Sequence, residues 1–177
     1  MDLEFHGRVE KILKIKFVQA EDIINYKEPS MVIGFPKCSF KCDHECGVPV
    51  CQNSNLANMP DIEVPNERIV NYYLSNPITK AIVFAGLEPF DSPEDLIDLI
   101  NDFRKKTDDF IIIYTGYTEK ELIWAGDSKK GVYYNLFENC KNIIIKFGRF
   151  IPNRPHKYDE VLGVELSSDN QYARRIN

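Results

Sequence analysis

The chain has 177 residues, 44% of them hydrophobic and 28% charged, with a formal net charge of −5. That is enough material for one domain with its own core, so residues 1–177 read as a single domain that needs no crosslinks to stay folded. The acidic balance argues against a nucleic-acid partner, since phosphate recognition needs Lys and Arg gathered on one face, and no run of about eighteen apolar residues is present to cross a membrane.

The opening segment Met1–Arg8 is acidic and lacks an apolar run behind a basic one, so it does not read as a secretory signal. A cytoplasmic, reducing compartment is the expectation. From there, apolar runs and amphipathic stretches alternate along the chain. A strand is expected over Ile12–Val18 and a second over Ser30–Phe35. A helix follows Pro65 over Asn66–Leu74, then a strand over Ala81–Phe84. The next helix covers Pro93–Lys105, with Ser92 placed to cap it and an apolar stripe of Leu96, Ile97, Leu99, Ile100 and Phe103. Phe110–Tyr114 is the greasiest strand. A third helix begins at Thr118, where Thr-Glu-Lys-Glu fits a capping box closed by Glu121. Strands over Asn142–Lys146 and Val161–Leu166 complete the pattern. Strands alternating with helices indicate an α/β layer built on a mostly parallel sheet. In such sheets ligands gather beyond the carboxyl ends of the strands. Three segments share that rim: the cysteine loop after Phe35, the segment Phe84–Glu88, and Tyr114–Tyr117.

Four of the five cysteines, Cys38, Cys42, Cys46 and Cys51, lie in one loop. In a reducing compartment, thiols this crowded point to a metal rather than to bridges. Cys140 stands apart and reads as a buried small residue. Structural zinc sites usually take two closely spaced pairs of ligands across a longer loop, and that separation is missing here. An iron–sulfur cube is larger and accepts several thiolates from one short loop, and with three ligands its fourth iron stays open. His44 sits among the cysteines as a further potential ligand. Lys37 and Lys41 flank the thiols and can offset their charge, while Phe35, Pro36 and Phe40 can shield them. Glu88, beyond an apolar strand and before Pro89, suits a ligand ammonium. Basic residues outnumber acids from Lys141 onward, which suits either a solvated face or a docking surface for an acidic partner.

Cys38-Ser-Phe-Lys-Cys42 resembles the opening of the radical S-adenosylmethionine (SAM) cluster motif. Gly86-Leu87-Glu88-Pro89-Phe90 resembles the Gly-Gly-Glu-Pro segment of that superfamily, and Ile113–Thr118, Gly148-Arg149-Phe150 and Ser167–Gln171 follow in the expected order. Over roughly residues 11–177 the chain is similar to the short activating proteins of anaerobic ribonucleotide reductases, a glycyl-radical-enzyme activating family. The resemblance implies a partial (β/α) barrel. It implies a [4Fe-4S] cluster on Cys38, Cys42 and a third cysteine, with SAM against Gly86, Leu87, Glu88, Tyr114 and Asn170. It further implies an external low-potential electron donor and a glycyl radical protein, such as an anaerobic ribonucleotide reductase, as partners. A radical SAM enzyme acting on another peptide or small molecule, or a four-cysteine zinc module, are the alternatives.

Two departures stand out. The family spaces its second and third cysteines by two residues, whereas Cys46 comes three residues after Cys42 and Cys51 eight. The family also places an Asn soon after the third ligand, which favours Cys51-Gln52-Asn53 and makes Asp43–Val50 an insertion holding Cys46, the alternative ligand. Leu87 stands where the family has Gly, so a backbone contact there requires a negative φ.

Overall fold

The computed structural model describes residues 11–177, and Met1–Arg8 with His6 lie outside that range. In chain order the elements are β1 (Ile12–Ile15), β2 (Phe17–Asp22), β3 (Ser30–Phe35), α1 (Lys41–Cys46), α2 (Ser54–Ala57), β4 (Ile62–Pro65), α3 (Asn66–Ser75), β5 (Ala81–Gly86), a 3₁₀ turn (Pro89–Asp91), α4 (Pro93–Arg104), β6 (Phe110–Tyr114), α5 (Glu119–Trp124), α6 (Asp127–Asn139), β7 (Ile143–Phe147), β8 (Lys157–Asp159), β9 (Val164–Leu166) and β10 (Tyr172–Arg175).

Six strands form the central sheet in the order β10-β7-β6-β5-β3-β2. The four inner strands β3, β5, β6 and β7 run parallel, and β2 and β10 pair antiparallel at the two edges. The architecture is therefore mixed α/β with a mostly parallel sheet. Among the described residues the pairing leaves both edges open, so these hydrogen-bonded strands do not close into a barrel. Among the described residues no helix is long and apolar enough to cross a membrane.

The period of two along the inner strands divides the core between two faces. Ile33, Phe35, Ile82, Phe84, Ile111, Ile113, Ile143 and Ile145 pack with the apolar sides of α3, α4 and α6. Val32, Val83, Ile112 and Ile144 point the other way, onto Tyr26, Leu162 and Leu166. Leu96, Leu99, Ile100 and Phe103 of α4 are buried as their spacing requires, and Ile97 packs at the margin. Cys140 is buried within the helical face.

Local chemistry explains where the elements depart from expectation. The run Ile12–Val18 is two strands: β1 leaves the sheet to pair with β4, and β2 stays. The break falls at Lys16, whose buried ammonium reaches the Met59 carbonyl at 2.6 Å and Asp61 at 2.8 Å. A cation inside an apolar run must find a counter-charge, and the chain turns to supply one. Only Val164–Leu166 of the expected Val161–Leu166 strand is extended. Asp159 accepts from the Leu162 amide at 3.0 Å and folds Val161–Gly163 into the turn of the β8–β9 hairpin. Ser92 stands at the start of α4 but its side chain makes no cap, and its hydroxyl is buried without a partner. Pro93 begins that helix with its φ already fixed for it. The capping box at Thr118 forms as its sequence indicates, with the Glu121 amide donating to Thr118 Oγ1 at 3.2 Å and Glu121 Oε2 accepting from the Thr118 amide at 2.8 Å.

Candidate metal and cofactor site

The carboxyl ends of β3, β5, β6 and β7 open onto one cavity of about 410 Å³. Its floor is set by strand register. Gly34 lies beside Ala85 and Tyr114 beside Lys146, and these positions continue the second, hairpin-covered face of the sheet. Glu165 and Leu166 of β9 close the far side, and Cys38, Cys42 and Cys51 stand on the wall.

Three of the four clustered thiols thus share a cavity, whereas Cys46 at the end of α1 is not on its wall. His44 is exposed on the same helix and is likewise off the wall. What returns Cys51 to Cys42 is the carboxylate between them. Asp43 Oδ1 accepts from the amides of Val50 and Cys51, both at 2.8 Å, and these bonds hold the Asp43 carboxyl below its ordinary range. Phe40 is left-handed at φ 51°, which starts α1 immediately after Cys38-Ser39. The Phe40 amide donates to Cys38 Sγ at 3.2 Å.

Burial raises the Cys38 thiol to about 11, with the nearby Glu88 and Asp91 carboxylates adding to the shift. Burial raises Cys42 to about 12, helped by its neighbours Cys51 and Asp43. These two thiols are therefore protonated at neutral pH, and a bound metal must displace their protons. Among the described residues no group of His, Cys, Asp or Glu is arranged to cage a single metal ion. A donor set of three thiols on one cavity wall suits a larger iron–sulfur cube, because thiolates are its usual ligands.

Glu88 is buried at 6% exposure. Its Oε1 accepts from the Phe90 amide at 3.1 Å and from Thr115 Oγ1 at 2.8 Å, and its Oε2 accepts from the Gly116 amide at 2.8 Å. A carboxylate has about four acceptor sites, so one on Oε2 remains for a ligand. Burial outweighs these bonds and lifts the carboxyl to about 7. Leu87 and Gly86 also line the cavity. Leu87 is not among the described residues with positive φ, so its side chain costs the backbone nothing. Gly86 has φ +86°, and a Cβ there would meet Gly34 Cα at 2.7 Å. Its bareness therefore serves the contact between β5 and β3 rather than a ligand. Asn53 joins the two segments, donating from Nδ2 to the Gly86 carbonyl at 2.9 Å.

Tyr114 lines the cavity and spends its hydroxyl on the Asn25 carbonyl at 2.6 Å. Asn170 is not on the wall. Its Nδ2 donates to the Arg149 carbonyl at 2.9 Å, its Oδ1 is buried without a partner, and the wall position is taken by Gln171. Lys41 pairs with Glu121 at 3.3 Å, Lys37 is exposed, and Phe35 is buried against Phe84.

For two cavity cations only the structure shows their place on the wall. Lys146 is 7% exposed, donates to the Gly148 carbonyl at 2.8 Å, and is pushed down to about 8 by burial, which the field of Glu88 partly offsets. Its signal was available, since it lies two positions after Ile144 on the same face. Arg149 binds Glu121 through both terminal nitrogens and leaves its Nε buried without a partner.

None of the curated proteins compared with the chain matches it. Residues 31–170 match the 4Fe-4S single cluster domain family. That span includes the cysteine loop, Glu88 and every parallel strand of the sheet but the first residue of β3, and it shows that the chain belongs to the 4Fe-4S single cluster domain family and is an iron–sulfur protein.

Proposed function

We propose that the chain is a radical SAM enzyme that generates a glycyl radical on a partner such as an anaerobic ribonucleotide reductase. On this reading Cys38, Cys42 and Cys51 hold the [4Fe-4S] cluster, Cys46 is a bystander, and residues 1–177 act as one domain whose sheet lines a partial (β/α) barrel. So held by Cys38, Cys42 and Cys51, the cluster would supply the single electron, drawn from an external donor, for cleaving the sulfonium C–S bond of SAM to methionine and 5'-deoxyadenosine, the added hydrogen coming from a glycine of the partner.

The observation that carries the reading is the convergence of three thiols and the spare acceptor of Glu88 on one cavity at the carboxyl ends of parallel strands. Glu88 accepts the ligand ammonium, held in aim by Thr115, Gly116 and Phe90. Lys146 offers ammonium protons not used by its one carbonyl partner. Leu87, Tyr114 and Leu166 exclude water from the wall. A volume of about 410 Å³ lies near the lower end of small-molecule sites, which leaves little room for a second substrate beside a cofactor and favours a macromolecular target.

Anaerobic reconstitution tests it. Wild type should bind about four irons and, once reduced, release 5'-deoxyadenosine from SAM. Cys51→Ser should lose the cluster while Cys46→Ser keeps it. A loaded protein that binds SAM but never cleaves it would sink the proposal, and cleavage without a glycyl radical signal on a candidate reductase would shift the target to another substrate.

A further inference from the structure

A second set of polar groups, of which Tyr117 and Ser39 also line the cavity, meets the cysteine loop and joins three separate stretches of chain. Asp91, at the end of the 3₁₀ turn that follows Glu88, has a side chain only 8% exposed. Its Oδ2 accepts from the Ser39 amide at 2.6 Å, and its Oδ1 accepts from the Tyr117 hydroxyl at 2.7 Å and forms an ion pair with Lys129 of α6. Lys129 also donates to the Tyr117 hydroxyl at 2.8 Å, and that hydroxyl lies 3.3 Å from Ser39 Oγ. The ammonium groups of Lys129 and Lys41 lie over the Tyr117 ring, 4.7 and 5.1 Å from its centre.

Ser39 follows Cys38 directly, and Lys41 precedes Cys42. A buried carboxylate that takes the Ser39 amide fixes the peptide between the first two thiols. Ordinary packing does not require a charge at this point, and a buried charge is retained only when it is paired and hydrogen-bonded. Groups in the shell around metal ligands orient those ligands and tune the metal.

We propose that Asp91, Tyr117 and Lys129 are positioning residues that clamp the Cys38–Cys42 loop and set the reduction potential of the cluster. The proposal rests on Cys38 and Cys42 being cluster ligands. Adding an electron to the cluster adds negative charge, so the Asp91 carboxylate opposes reduction and the Lys129 ammonium favours it. The two residues therefore act with opposite sign, although each is a partner of the other.

The test is a redox titration, followed by electron paramagnetic resonance, on reconstituted full-length chain. Asp91→Asn removes the charge, keeps one acceptor oxygen for the Ser39 amide and turns its amide nitrogen toward the Tyr117 hydroxyl, which can accept as well as donate, and it should raise the potential. Lys129→Gln should lower it. Each shift is expected to be on the order of tenfold in the reduction equilibrium, ~59 mV for one electron. The double variant should return close to wild type, and Tyr117→Phe should lose cluster on dilution with little change of potential. Iron content and urea midpoints are measured on every variant. Shifts of the same sign, or no shift in variants that keep their iron, overturn the clamp alone. Loss of iron from the variants with a lowered urea midpoint also overturns it, whereas loss at an unchanged midpoint supports it. A wild-type chain that takes up no iron overturns the ligand assignment beneath it.

Discussion

Glu88 makes stability depend on pH in a direction opposite to that of most acids. Folding raises its carboxyl from 4.5 to about 7, chiefly by burial. Each pH unit of difference is worth ~1.36 kcal/mol, so the ionised group costs the fold about 3 kcal/mol. The folded state keeps the proton between the two values while the unfolded chain has lost it. Stability contributed here is therefore full below about pH 4.5 and falls as pH rises to about 7. Glu88→Gln removes the titration but turns an amide donor toward one of the three donors now satisfied, Phe90, Thr115 or Gly116. That mismatch should cost the variant about 1–2 kcal/mol at pH 4.5. Urea unfolding of the metal-free proteins across pH 4.5 to 7.5 gives the difference between wild type and variant, in which other titrations cancel. The difference should move by about 3 kcal/mol toward the variant and reverse sign at about pH 6. Parallel curves would refute the reasoning, because Glu88 would then titrate like a solvated acid. A ligand ammonium on Oε2 should bring the carboxyl back down, so ligand uptake near pH 6.5 should release a proton, measurable by calorimetry in buffers of different ionisation heat.

Other expectations follow from single contacts. Lys146→Met should stabilise the metal-free fold near pH 7 by about 2–3 kcal/mol, since it removes a buried ammonium with one carbonyl partner. The gain should shrink as pH rises from about 8 to 10.5, because folded Lys146 loses its proton before the unfolded lysine does, and urea midpoints against pH would show it. Gly86→Ala should cost about 3 kcal/mol in a chemical melt, because its Cβ would press on Gly34 at a left-handed backbone position. Asn53→Ala should weaken the tie between the cysteine loop and β5 by about 1 kcal/mol, seen as faster iron loss to a chelator. Burial of Cys38 and Cys42 should make alkylation of the metal-free chain slow at pH 7, and iron uptake should acidify an unbuffered solution.

Periodicity made the inner sheet legible. Ser30–Phe35 and Phe110–Tyr114 have the expected bounds, since a strand buried on both faces reads as a continuous apolar run. Spacing also placed Thr118 and Glu121, whose bond is local to one turn. Contacts that join distant segments left no such trace. Lys16 divides a strand because of Asp61, and Ser39 meets Asp91 across 52 positions. Asp43–Val50 read only as an insertion holding Cys46, while α1 and the Asp43 carboxylate give it form. Lys146 sat in plain alternation but carried no motif, and only the register with Tyr114 put it on the cavity floor.

The Asp43 carboxylate has one more consequence. By gripping the Val50 and Cys51 amides itself, it acts as a ruler between the second and third thiols, independent of how much chain lies in between. The residues from His44 to Pro49 are thus a detour that leaves the route's end points fixed. Loops of different length can then present the same three sulfurs, and counting residues between cysteines would separate proteins whose sites are alike.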